Sequence, residues 1–237
     1  MSQKKFLTAE WRKLIMANYE IDPGILKKYI PAGTEFDTWD NKHYISLVGF
    51  MFLKTKLRGV TIPFHSNFPE VNLRFYVRYK FNNEWKRGVV FINEFVPRPA
   101  ITFVANYLYK ERYVTYKMKY KWETDDKLKI GYYWKKNSEW NKLEVSANSN
   151  SNELSIGSKE EFITEHYWGY TKLNQLKTSE YRVEHPRWQV YRIKDYSINV
   201  DFSKVYGNDF SFLNTETPKS VFLAEGSEII VQPAKKL

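Results

Sequence analysis

Residues 106–122, NYLYKERYVTYKMKYKW, hold the densest mixture of lysine and aromatic residues in this 237-residue chain. Amine or cation chemistry would start there. On a regular strand Lys117, Lys119 and Lys121 share one face, and Tyr116, Met118, Tyr120 and Trp122 share the other. Three lysines side by side ordinarily make a solvated face; the alternative is that Lys119 points into a cavity. Arg74 is a second candidate, because a guanidinium can hold a ligand carboxylate through two parallel hydrogen bonds. Its partners in strand alternation, Arg78 and Lys80, favour an outward face. Glu70, Glu94 and Glu111 are candidate acids or bases, though no spacing singles one out. Tyr109 and Tyr113 are expected to pack. His43, His65, His166 and His185 lie far apart, without zinc-ligand spacing, and there is no cysteine. No metal site and no cofactor are therefore expected. Phosphate-cradling glycine motifs and the GxSxG elbow are missing, which leaves nucleotide binding and α/β-hydrolase chemistry without support.

These residues need elements to place them. Residues 71–80 alternate cleanly, with Val71, Leu73, Phe75, Val77 and Tyr79 on one side. Asn82-Asn83 predicts a hairpin turn, and residues 88–95 the returning strand. Residues 44–53 are almost all apolar and read as a buried strand; residues 54–68 read as a loop. Residues 8–19 fit either a helix or a strand. Asp22-Pro23 starts a short helix that Pro31 stops. Residues 101–105 fit a strand end or a helix running on to Tyr109. Further strands are expected over 113–122, 127–134, 143–147, 167–173, 179–183 and 188–193. A turn at Thr124-Asp125-Asp126 would join the first two, and an Asn/Ser-rich loop is expected over 146–158. Ser158 and Glu161 form a capping box. Residues 220–224 and 228–232 read as a hairpin about Gly226. His185-Pro186-Arg187-Trp188 reads as a structural turn with cation–π stacking. The sum is a mainly β, α+β fold whose sheets are covered on both faces or closed into a barrel, as a single domain over 1–237.

Composition narrows the rest. The chain is 43% hydrophobic and 18% aromatic, enough for a core and against disorder. Without cysteine there is no disulfide scaffold or thiolate nucleophile. No apolar run approaches the roughly 20 residues of a membrane span, and no signal peptide is evident, so a soluble cytoplasmic protein is expected. The net charge of +10 is spread along the chain, which favours a solvated basic surface over nucleic-acid binding. Nucleic-acid or anionic-surface binding, and a non-catalytic partner-binding domain, stand as alternatives. The sequence sets no oligomeric state.

A resemblance adds to this. Asp22-Pro23-Gly24-Ile25-Leu26 leads to Ile30-Pro31-Ala32-Gly33-Thr34. Then come Tyr44-Ile45-Ser46-Leu47-Val48-Gly49-Phe50, Ile62-Pro63-Phe64-His65, and residues 70–78. Gly88-Val89-Val90-Phe91-Ile92, His185-Pro186-Arg187-Trp188 and Ala224-Glu225-Gly226-Ser227 follow. In that order these resemble the YqjF-like bacterial family, which is similar to the acetoacetate decarboxylase-like superfamily. The resemblance implies a mixed sheet curled into a cone-like pseudo-barrel around a cavity, and a small carboxylic- or keto-acid-like ligand. In the decarboxylases a Pro-Lys-Lys motif supplies a Schiff-base lysine and a second lysine that lowers its pKa, an activation for which acetoacetate decarboxylase is the standard example. Here Lys117 lies on the proline and Met118 on the Schiff-base lysine, and only Lys119 keeps a lysine, unless the alignment slips to put Lys117 in the active place. The expected catalytic amines are thus Lys119 and Lys117. The expected ligand contacts are Arg74, Glu70, Glu111, Tyr113, Met118 and His65.

Overall fold

Residues 8–19, which fit either helix or strand, lie in a strand that is the seam of the molecule. A computed structural model describes residues 5–124 and 127–237. Its opening elements are β1 (Leu7–Glu20), α1 (Pro23–Leu26), β2 (Thr34–Phe36), β3 (Tyr44–Leu57) and β4 (Val60–Thr61). Next come β5 (Phe68–Phe81), β6 (Glu84–Val96), α2 (Pro99–Leu108), β7 (Tyr113–Thr115) and β8 (Lys117–Glu123). Then follow β9 (Leu128–Lys136), β10 (Glu139–Glu153), α3 (Lys159–Thr164), β11 (Trp168–Lys172) and β12 (Thr178–Glu184). The chain closes with β13 (Gln189–Asn199), α4 (Phe202–Tyr206), β14 (Ser220–Val231) and β15 (Lys235–Lys236). Asp22 caps α1 by accepting from the Gly24 amide at 2.7 Å. Asn82 and Asn83 both take positive φ, which turns β5 into β6. The expected turn at Thr124-Asp125-Asp126 has residues 125 and 126 outside the described part of the chain.

Hydrogen-bonded neighbours run β12-β11-β6-β5-β3-β1-β14, and β14 pairs again with β12 through Val231↔Val183. The sheet thereby closes into a ring of seven strands. Every junction is antiparallel except β11 with β6. From the first half of β14 a second arm leaves, β13-β10-β9-β8, and folds back over the outside of the ring. The ring wall is therefore buried on both faces. Outward residues such as Ile45, Leu47, Leu73 and Phe75 pack with Ile130, Tyr132 and Leu143 of the arm. Inward residues such as Val48, Phe50, Phe68, Val89 and Phe222 form a separate core inside the ring. The two layers come so close that a Cβ on Gly49 would meet the Tyr132 ring at 2.8 Å.

Four expectations change. Residues 220–232 form one strand, not a hairpin. Gly226, at φ 81°, stays in register opposite Arg12 of β1, and β14 pairs with β13 in its first half and with β12 at its end. The Asn/Ser-rich segment continues β10 as far as Glu153, because β13 supplies partners for its backbone. The loop after residue 54 is shorter, since β3 runs on to Leu57 and turns into β4. Arg187 bonds Glu161 and the Leu154 carbonyl, and it is His185 that stacks on Trp188 at 4.2 Å.

Candidate functional site

The ring encloses a cavity of about 200 Å³, walled mainly by apolar side chains and closed on one side by Ala100, Ile101, Val104 and Ala105 of α2. Its polar groups come first from β5. Along that strand Phe68, Glu70, Asn72 and Arg74 line the cavity, while Val71, Leu73, Phe75 and Val77 face the outer core. The expectation that Arg74 faces outward is thus corrected. The polar side of this strand is the inside of a closed ring, and Arg78 and Lys80 lie beyond its buried part. Arg74 is only 8% exposed.

β6 adds Glu94 through a bulge. Val89 and Phe91 face inward, so strict alternation would turn Asn93 in and Glu94 out. An irregularity opposite Leu73–Arg74 inserts one residue, and Glu94 points to the cavity instead. The lysine-rich stretch divides in two. Its first part builds the cavity wall: Asn106 clamps the Tyr113 backbone with bonds of 2.9 and 2.8 Å, which sets Tyr109, Glu111 and Tyr113 into the lining. Its second part is β8, the edge of the outer arm. Lys117 and Lys119 are exposed there, and the Lys119 ammonium lies over the Trp140 ring at 4.5 Å. Met118 packs against the outer core. Among the described residues no lysine lines the cavity. The structure therefore brings together Arg74, Glu70, Glu111, Tyr113 and His65, with His65 near the mouth, and leaves Lys117, Met118 and Lys119 outside.

The cavity groups are tightly linked. The Tyr113 hydroxyl donates to Glu70 Oε2 at 3.0 Å, Asn72 donates to Glu70 Oε1 at 3.0 Å, and Thr171 donates to Glu111 Oε1 at 2.7 Å. Burial disfavours ionisation of all three carboxyls. Glu70 and Glu111 are pushed up to about 7, and Glu94, beside the charges of Glu111 and Glu70, well above the ordinary carboxylate range. The Arg74 charge partly opposes this at Glu70 and Glu94. No carboxylate among the described residues comes within ion-pair distance of Arg74; its Nε has no hydrogen-bond partner, and its guanidinium lies 5.9 Å from the Tyr76 ring.

Sequence reasoning missed His166, His185 and Tyr181, which also line the cavity. His166 Nε2 lies 3.1 Å from Asp37 Oδ2, and burial keeps the ring neutral, with a pKa of about 4. Its distance in sequence from Arg74 and the three glutamates left no signal. The orphaned polar atoms gather here: Trp11 Nε1, Thr55 Oγ1, Asn72 Oδ1, Arg74 Nε, Glu94 Oε2 and His166 Nδ1 are buried without partners, and all six residues line this cavity. Unpaired buried polar groups are rare, and such a cluster is what a binding site presents. Among the described residues no cluster of potential metal ligands is present, and no helix is long and apolar enough to cross a membrane.

Residues 8–228 match DUF2071, a family described as an uncharacterized conserved protein. The chain belongs to the DUF2071 family. A segment of 84 residues is 34% identical to the uncharacterized protein YqjF of Bacillus subtilis; it spans 35% of this chain and only 33% of that relative. Among solved structures, an acetoacetate decarboxylase from Legionella pneumophila superposes with a TM-score of 0.67 at 13% identity, covering 98% of this chain and 87% of that one. The enduracididine biosynthesis enzyme MppR, complexed with pyruvate, gives 0.66 at 9% identity, covering 100% and 91%. An acetoacetate decarboxylase-like enzyme from Sphingomonas wittichii RW1 gives 0.63 at 10%, covering 98% and 93%. At these identities the likeness establishes the fold: the family member has the acetoacetate decarboxylase-like mixed sheet, closed here into a ring.

Proposed function

We propose that the ring binds one small carboxylic- or keto-acid-like molecule, with its carboxylate on Arg74 and its carbon skeleton against the apolar wall. The observation that carries this is the buried guanidinium without an ion pair. A buried charge without a partner costs several kcal/mol, and a ligand carboxylate would offset that cost. Glu94 does not compete strongly for Arg74, because burial and the charges of Glu111 and Glu70 favour its neutral form. Neutral carboxyls can instead donate to a ligand carbonyl. Size fits as well: a cavity of ~150 Å³ accepts benzene, so one somewhat larger suits an acid of roughly six to ten heavy atoms. A keto acid is a reasonable first probe, since MppR was solved with pyruvate.

Amine catalysis is not part of this reading, because Lys117 and Lys119 lie on the outer arm. Borohydride trapping with pyruvate or acetoacetate should leave both lysines unmodified in peptide mass maps. The main test is calorimetric titration with pyruvate, 2-oxobutanoate and hexanoate. A charge-assisted hydrogen bond contributes about 1.5–3 kcal/mol, so Arg74→Met should weaken binding roughly tenfold to a hundredfold. Equal affinity in the two proteins would refute the assignment of Arg74.

A further inference from the structure

The proposed ligand site leaves one arrangement unexplained. Asp37 follows β2, outside the residues that line the cavity, and is itself buried. Its Oδ2 lies 3.1 Å from His166 Nε2 and 2.6 Å from Arg87 Nε. The arginine holds the carboxylate, and the carboxylate holds the imidazole. The His166 ring is also fixed by Tyr76 at 4.7 Å and Phe162 at 5.0 Å. The residue lines the cavity, its side chain is only 1% exposed, and its second nitrogen, Nδ1, is buried without a partner. A carboxylate that accepts from one ring nitrogen fixes the tautomer. Nε2 then carries the hydrogen, and Nδ1 keeps its lone pair. Such a group is a base with an orienting partner, the arrangement that proton abstraction requires.

We infer that His166 is a general base that removes the proton next to the carbonyl of a bound keto acid, with Asp37 as its positioning residue. This rests on the proposed binding of such an acid at Arg74. The C–H bond breaks and its proton passes to Nδ1. The electron pair forms the C=C bond of an enol, and the carbonyl oxygen takes a proton from a neutral carboxyl, for which Glu94 is available. Burial opposes the imidazolium most, Asp37 stabilises it, and the charges of Arg87 and Arg74 oppose it further. Return of the steps with a solvent deuteron leaves a C–D bond in an otherwise unchanged molecule. No amine, metal or redox partner enters the balance. The substrate class that follows is a short 2-oxo acid with at least one hydrogen on the neighbouring carbon.

The test is proton NMR in deuterium oxide, with the full chain and pyruvate or 2-oxobutanoate. Binding is read in the same samples by saturation transfer. The wild type should exchange the hydrogens beside the carbonyl well above the buffer rate. A positioned base contributes about a hundredfold or more, so His166→Gln should lose about that factor while still binding. Asp37→Asn should slow exchange without changing affinity, and free imidazole should restore part of the rate in His166→Ala. Because these variants could fold poorly, the wild type alone decides first. Binding without exchange overturns the base and leaves the Arg74 site standing. Exchange that survives in folded His166→Gln also overturns it. No binding of either acid overturns both readings.

Discussion

Glu70 and Glu94 face the buried cation Arg74, Glu111 feels the charge of Arg112, and burial outweighs both cations with a measurable sign. Each carboxyl binds its proton more tightly in the folded chain than in the unfolded chain, where its ordinary value is 4.5. Their contribution to stability is complete below pH 4.5 and is lost as pH rises through the folded value, about 7 for Glu70 and Glu111. His166 and His185, held at about 4 by burial, work in the opposite direction: they favour the fold above 6.5 and cease to do so as pH falls through 4. Glu111→Gln isolates the carboxyl effect. It should change urea-unfolding stability little at pH 5 and raise it at pH 8.5 by up to roughly 3 kcal/mol. Parallel pH curves for variant and wild type would contradict the raised value. The residue types of this site were legible in the sequence, since Arg74 and the glutamates stand out as groups for binding and proton transfer. Their direction was not. A polar face on an alternating strand normally meets water, and only closure of the ring turns that face into a cavity wall.

At the scale of elements, bulges decide what the cavity contains. The irregularity in β6 turns Glu94 inward, and another at Arg12–Ile15 of β1 breaks its register with β3. Neither has a sequence signature of its own. The irregularity in β1 is why residues 8–19 showed no clean alternation, and Gly226 was expected to be a turn because its positive φ is a glycine conformation that turns also use. Lys13 has φ 54° within β1, and its ammonium is anchored by Glu225 at 2.5 Å. Gly226 is the more exacting position. At φ 81°, an added Cβ would lie 2.0 Å from the Trp11 carbonyl oxygen. Gly226→Ala should therefore destabilise the chain by about 3 kcal/mol or more, read as a lower urea midpoint. A midpoint unchanged from wild type would show that the β1–β14 contact is not the tight seam described. Strand positions themselves were largely legible, because alternation and turn residues mark β5, β6 and their hairpin. Strand ends were not, since β10 and β13 extend through polar residues by pairing with each other.

The whole molecule consists of a ring and an arm that share strands. β1 and β3 face the ring core on one side and the outer core on the other, and β14 pairs into both parts. Neither core can be lost without exposing the other. Equilibrium unfolding should therefore give one transition, coincident by near- and far-ultraviolet circular dichroism, and two separated transitions would contradict a shared wall. The resemblance read from the sequence pointed to the correct architecture, and the family match over 8–228 and the solved neighbours establish it. What it could not supply was the fate of the lysine stretch. The chain spends Tyr113 and Glu111 on the cavity and Lys117–Glu123 on an exposed edge strand, where lysines guard a sheet edge against pairing with other chains. The central claim is that the cavity receives a carboxylate at Arg74, and a crystal structure with 2-oxobutanoate tests it most directly. The account predicts the carboxylate within about 3 Å of the guanidinium, with the carbonyl facing Glu94 and His166. A ligand found instead among the lysines of β8, or a ring interior filled by its own side chains, would contradict it.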